Sequence, residues 1–267
     1  MIDLRRSRIW IGAIVGVALV ALLAVPRPAR AFGERSAFDP RILLAGGTTG
    51  AAHATAPSRW SWELQQRTSA PARLTPSSVH ADEPAIVDAP FVYWSSDQAI
   101  SELTPSEVSG LRRFFALGGM MVVDDAAAGS GGGPTPFTRS ARTQLARVLP
   151  DATPIALGIK HVLYHSFYLL NRAEGRVLGP PEVDAIVRGG EAQVIFTQND
   201  LGGALARGGS GIWEAPVIPG GELQREHAIR LAVNIAMYVL CTNYKDDQVH
   251  APFLMRRRAH ATLPIEP

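Results

Sequence analysis

Thr104–Asp125 reads T-P-S-E-V-S-G-L-R-R-F-F-A-L-G-G-M-M-V-V-D-D, and this stretch decides the fold. Thr104 is a helix N-cap with Pro105 at the first helical position. Glu107, three residues after the cap, completes a capping box, and Leu103 and Val108 stand where a hydrophobic staple belongs. Val108, Leu111 and Phe115 give the helix one apolar face, and Gly118-Gly119 ends it. Met120-Met121-Val122-Val123 follows without alternation, the pattern of a strand covered on both faces, and it closes on Asp124-Asp125. Upstream, Phe91-Val92-Tyr93-Trp94 predicts the preceding strand, ending at Ser95-Ser96-Asp97. Strand, capped helix and strand make a βαβ unit.

The same grammar extends in both directions. Arg41–Ala45 predicts a buried first strand stopped by Gly46-Gly47, and Val194–Thr197 a further one ending at Gln198-Asn199-Asp200. Helices are predicted over Trp60–Arg67, Arg139–Val148 and Glu222–Cys241. The last is apolar almost all round in its second half, as a helix lying on a sheet would be. His161–Leu170 is predicted extended, and Ala126–Pro136 and Gly202–Gly211 are glycine-rich loops. Alternating buried strands and helices predict a three-layer α/β/α, flavodoxin-like fold with a mostly parallel sheet.

Ahead of this body, Arg5, Arg6 and Arg8 precede an apolar run from Ile9 to Val25, then Pro26, Pro28 and Ala29-Arg30-Ala31. A basic start, an apolar middle and a small-x-small exit predict a secretory signal peptide cut before Phe32. The alternative is an uncleaved anchor, since the run is at the short limit for a bilayer span. The expected organisation is a signal peptide at 1–31, a linker at 32–38, an α/β domain at 39–245 and a C-terminal tail at 246–267. The protein is expected in the periplasm or envelope, with cell-envelope proteins as partners and contact with the membrane only through the N-terminal segment if it stays uncleaved.

The chain has 267 residues and a formal charge of +2, but the five Arg and one Asp of residues 1–31 account for the surplus. The remaining 21 basic and 23 acidic side chains give −2. A body so close to neutral has no electrostatic footprint for nucleic acid. The single Cys excludes an internal disulfide and a Cys-based zinc framework. Lys160 and Lys245 are the only lysines, and neither ends a phosphate-loop motif.

Several segments together carry a family resemblance: R-T-S (67–69), A-P-F-V-Y-W (89–94), the 104–125 stretch, H-V-L-Y-H-S-F-Y-L-L (161–170), V-I-F-T-Q-N-D-L (194–201) and A-V-N-I-A-M-Y-V-L (232–240). The sequence resembles the domain-of-unknown-function family 4159, bacterial proteins similar to class I glutamine amidotransferases and the ThuA-like group. The resemblance implies a flavodoxin-like sheet and brings no activity. Amidotransferases carry a nucleophilic Cys on the turn after the strand that here ends in Asp124-Asp125, and this sequence has Asp and Ala there. Cys241, near the end of an apolar helix, is expected to be a small core residue. Thiol-dependent glutaminase chemistry is therefore excluded.

In open parallel sheets, ligands bind beyond the carboxyl ends of the strands. That rule makes Gly47, Thr48, Ser95, Asp124 and Asp200 the candidate ligand-binding residues. His161 and His165 share a face at a spacing of four. Facing Asp124, Asp125 or Asp200, they would suit a divalent metal or an acid–base relay, so Asp125, His161 and His165 are the candidate catalytic set. The competing reading gives both imidazoles structural partners and leaves the two aspartates to order turns. Two functions follow: an exported, amidotransferase-like binding or assembly module of the envelope without the catalytic Cys, or an Asp/His- or metal-dependent envelope hydrolase acting on a carbohydrate or amide.

Overall fold

The computed structural model describes residues 37–129 and 133–261, with side chains through Thr242. The predicted export segment, residues 1–31, most of the linker and the centre of the Gly129–Gly133 loop lie outside them.

The strands are β1 (Arg41–Leu44), β2 (Ser78–His80), β3 (Phe91–Ser96), β4 (Met120–Asp125), β5 (Ile155–Ala156), β6 (Asp184–Arg188) and β7 (Glu191–Thr197). The helices are α1 (Ala56–Thr68), α2 (Pro105–Ala116), α3 (Pro136–Val148), α4 (Leu201–Leu205) and α5 (Gly221–Ala261). The strands form one sheet in the order β2-β1-β3-β4-β7-β6-β5. β1 to β4 and β7 run parallel, while β6 pairs antiparallel with both β7 and β5. This is the three-layer, flavodoxin-like architecture.

Alternation along the central strands sorts the core into two layers. Phe91, Tyr93, Met120, Val122 and Ile195 face α1, α4 and α5, against Trp60, Leu64 and Leu201. Val92, Trp94, Met121, Val123 and Phe196 face α2 and α3, against Leu111, Phe115 and Phe137. All six residues of β4 are buried, as a doubly covered strand requires. The α2 capping box is complete: Thr104 Oγ1 accepts from Glu107 N at 3.2 Å, and Glu107 Oε2 accepts from Thr104 N at 2.7 Å. Gly110 lies within α2 because a Cβ there would stand 1.9 Å from the Ala81 carbonyl oxygen.

Three departures from the sequence reading have local causes. His161–Leu170 is not extended: Val162–His165 forms a 3-10 turn and the rest is irregular. Its backbone is satisfied from the neighbouring helix, where Asn234 Oδ1 accepts from Phe167 N and Tyr168 N and Asn234 Nδ2 donates to Tyr168 O. The Asp184–Thr197 region is a hairpin rather than one strand, turning at Gly189-Gly190, both with positive φ. The last helix continues past Cys241 to Ala261, into the segment expected as a C-terminal tail. Among the described residues, no helix is long and apolar enough to cross a membrane.

Candidate functional site

The strand order turns at β1, whose neighbours are β2 on one side and β3 on the other. The chain leaves β1 toward α1 on one layer, and leaves β3 toward α2 on the opposite layer. Two loops leaving in opposite directions cannot fill the space between them, so a crevice opens at this switch point. A cavity of about 350 Å³ lies there, walled by Gly46–Ala52 after β1 and Ser95–Ser101 after β3.

The cavity wall offers mainly backbone donors. Thr48 Oγ1 is turned inward, donating to the Ala45 carbonyl at 2.9 Å and accepting from Ala45 N and Trp94 Nε1. Ser95 Oγ accepts from Ala52 N at 3.0 Å, and Ser96 Oγ closes a turn onto Gln98. The N–H of Gly46 is taken by Glu107 Oε1 at 2.9 Å. Among the described residues, no partner meets the backbone N–H of Gly47, Thr49, Gly50 or Ala51. Asp97 is the one ionisable side chain in the lining. The free groups thus suit an uncharged ligand carrying acceptor oxygens.

Beside the cavity, a charged cluster lies at the ends of β4 and β7. Asp124 is fully buried and accepts four hydrogen bonds: Thr197 Oγ1 (2.7 Å) and Leu201 N (2.9 Å) on Oδ1, Tyr93 Oη (2.6 Å) and Gly202 N (2.8 Å) on Oδ2. Every partner donates, the pattern of an ionised carboxylate. Burial and the charge of Asp200 push the Asp124 carboxyl above its usual range, and the donors oppose them. Burial first, and then Asp124 itself, holds the Tyr93 phenol well above its usual value. Gly202 is required here, because a Cβ would stand 2.5 Å from Tyr93 Oη and 2.9 Å from Asp124 Oδ2.

Asp200, also fully buried, adopts a left-handed backbone (φ 54°) that swings its side chain over the start of α4, where Oδ1 accepts from Gly203 N at 2.8 Å. Its Oδ2 is paired with Arg176 Nε. His53 Nε2 approaches Asp200 Oδ1 at 3.0 Å in a bent contact whose N–H misses the in-line direction. The other ring nitrogen, Nδ1, lies 3.6 Å from Glu214 Oε2. The contact with Asp200 raises the His53 pKa above its ordinary value against the opposing effect of burial, with Asp124 and Glu214 adding to the rise.

The candidate residues separate into three places. Gly47, Thr48 and Ser95 line the cavity, and Asp124 and Asp200 form the adjoining cluster. Asp125, one residue along β4, points into the other layer and orders a turn. Its Oδ1 accepts from Ala127 N at 3.1 Å, and its Oδ2 from the hydroxyls of Thr135 and Thr138 at the start of α3. His161 and His165 lie elsewhere, on the 3-10 turn packed against α5. The His161 ring stands 5.7 Å from that of Tyr238, whose hydroxyl accepts from Ala192 N at the beginning of β7. His161 Nδ1 accepts from Leu163 N, burial lowers its pKa, and His165 is exposed. The expected convergence of Asp125, His161 and His165 is therefore corrected: the sheet stands between the aspartate and the imidazoles. Strand alternation separates Asp125 from Asp124, and packing on Tyr238 draws His161 toward the opposite end of β7.

Among the described residues, no group of three or more His, Cys, Asp or Glu side chains is placed to hold a metal ion. Cys241 is exposed on α5 rather than buried in the core, three residues beyond Tyr238 and at the same far end of the sheet. Trp60 and Trp94 are core residues, whereas Trp62 is 39% exposed, stacked under the Arg59 guanidinium.

The sequence reading missed His53, Arg176 and Glu214. His53 follows the Gly46–Ala52 loop directly, so its place at a strand exit was a usable signal. Arg176 and Glu214 sit in irregular segments whose positions no periodicity announces.

No curated protein matches the chain. The family match covers residues 40–240, spanning the whole sheet and the cavity at its switch point. On that match the chain belongs to the family described as "Domain of unknown function (DUF4159)".

Proposed function

We propose that the protein is an exported, amidotransferase-like ligand-binding or assembly module of the bacterial cell envelope, and that its ligand or partner is seated in the cavity between the exits of β1 and β3. The observation that carries this reading is the position of that cavity: an opening of about 350 Å³ at the topological switch point, rimmed by unpaired backbone donors. The neighbouring acids support binding rather than turnover. Asp124 is saturated by internal donors, and Asp200 is held by Arg176, His53 and Gly203. The signal-like residues 1–31 support export. The hydrolase alternative loses its support in the separation of Asp125 from His161 and His165.

Two measurements test the proposal. Isotope-labelled protein titrated with panels of neutral saccharides and short peptides should show amide shifts at Gly47, Thr49, Gly50 and Ala51, and a Gly50→Trp substitution should abolish them. Binding that leaves these amides unmoved, or survives the substitution, refutes the site. Expression of the full chain in a bacterial host should give an envelope-located product, and a cytoplasmic product refutes the export.

A further inference from the structure

His53 sits between two carboxylates that come from different elements. Asp200 Oδ1 at the start of α4 faces Nε2 at 3.0 Å, and Glu214 Oε2 faces Nδ1 at 3.6 Å. Glu214 grips the same loop a second time, because its Oε1 accepts from Thr55 Oγ1 at 3.3 Å. Thr55 Oγ1 in turn accepts from Arg207 N at 2.9 Å. Arg207 and Trp213 pair as an antiparallel bridge, so Arg207–Glu214 behaves as a small hairpin laid against residues 53–55. Residues 46–52, immediately before, are one wall of the cavity.

We propose that His53 is a proton-operated latch that fastens the Gly46–Thr55 loop to the Arg207–Glu214 hairpin when charged and releases it when neutral. The physical reason lies in the ring. An imidazolium carries a proton on both nitrogens, so each carboxylate faces positive charge, through a bent contact at Asp200 and a longer one at Glu214. A neutral imidazole keeps one proton, and one carboxylate then faces a nitrogen lone pair. Both ring nitrogens thus lie beside carboxylates of the fold, one from each element that the latch joins. Every charged or titratable group facing the ring acts in the same direction or is already spoken for. Asp124 of β4 adds negative potential, Arg176 is bound to the far oxygen of Asp200, and the Tyr93 hydroxyl donates to Asp124.

The sign follows from linkage. A histidine whose folded pKa is raised contributes stability in full below its unfolded value near 6.5, and loses it as pH rises through the folded value. The latch is therefore closed below about pH 6.5 and opens as pH rises through the raised folded value. It regulates the cavity of the proposed function, on which that consequence rests, whereas the latch itself needs no ligand.

The test uses the full chain without ligand. The His53 ring is titrated by NMR, and amide hydrogen exchange, corrected for its intrinsic pH dependence, is followed from about pH 5.5 to about pH 8.5. The expected midpoint lies above 6.5. Exchange across residues 47–55 and 207–214 should speed about tenfold through that midpoint while α2 stays unchanged. Glu214→Gln should lower the midpoint, and His53→Gln should exchange fast at every pH. A midpoint at or below 6.5, loop exchange indifferent to pH, or an unmoved midpoint in Glu214→Gln each overturns the latch. Should His53→Gln fail to fold, the wild-type and Glu214→Gln titrations decide. A latch that works over a cavity that binds nothing overturns the proposed function and leaves this inference standing.

Discussion

Asp124 and Asp125 are neighbours in sequence and strangers in space. Both end β4 and both are buried, yet one anchors the layer of α4 and α5 and the other the layer of α3. Their donors differ in kind. Asp124 meets a fixed backbone N–H on each oxygen, Leu201 on Oδ1 and Gly202 on Oδ2. Asp125 meets a fixed N–H only on Oδ1, and its Oδ2 is served by two rotatable hydroxyls. The difference teaches that a buried carboxylate is specified by its donors more than by its burial. An Asp held by rigid amides has no substitute, whereas one held by hydroxyls does.

The largest expected effect is at Asp124→Asn. Whichever way the amide turns, its NH2 group faces a backbone N–H, and the cost is about 3–5 kcal/mol, read as a lower denaturant midpoint. Gly202→Ala attacks the same place from the other side, driving a Cβ into Tyr93 Oη and Asp124. A loss of about 2–3 kcal/mol is expected. Thr104→Ala, on the opposite layer, removes half of the α2 capping box and costs about 1 kcal/mol. Asp125→Asn is the mildest, within about 1 kcal/mol, because Thr135 and Thr138 can rotate to accept from the new NH2. If Asp125→Asn proved as damaging as Asp124→Asn, the distinction between fixed and rotatable donors would collapse.

Histidine titration sharpens the contrast from one end of the sheet to the other. Burial lowers the His161 pKa, so the unfolded chain takes the proton first. His161 therefore subtracts stability as pH falls below about 6.5, while His53 subtracts it as pH rises above that value. Ring titration by NMR should place the His161 midpoint below 6.5.

Much of this molecule is written locally. Thr104, Pro105 and Glu107 specify the start of α2 within four residues, and Met120–Val123 announces a doubly covered strand because no position in it needs to tolerate water. Gly189-Gly190 marks the β6–β7 hairpin, a turn signal that was legible yet passed over. The strand exits that line the cavity, at Gly47, Thr48 and Ser95, were readable from the same punctuation.

Pairing across long separations was not readable. His53 reaches Asp200 because the parallel sheet gathers the exits of β1 and β7 at one edge, and Glu214 and Arg176 join them from irregular segments far along the chain. The spacing of His161 and His165 put two imidazoles on one face and gave no clue to which wall that face would meet. Tyr238 and Asn234 of α5 decided it. From the sequence alone came the central strands β1, β3, β4 and β7 and the helices α1, α2, α3 and the first half of α5, since those follow from capping, punctuation and periodicity along the chain. Which charged groups share a site was decided by the tertiary structure, because strand order and helix packing set distances that no local pattern encodes.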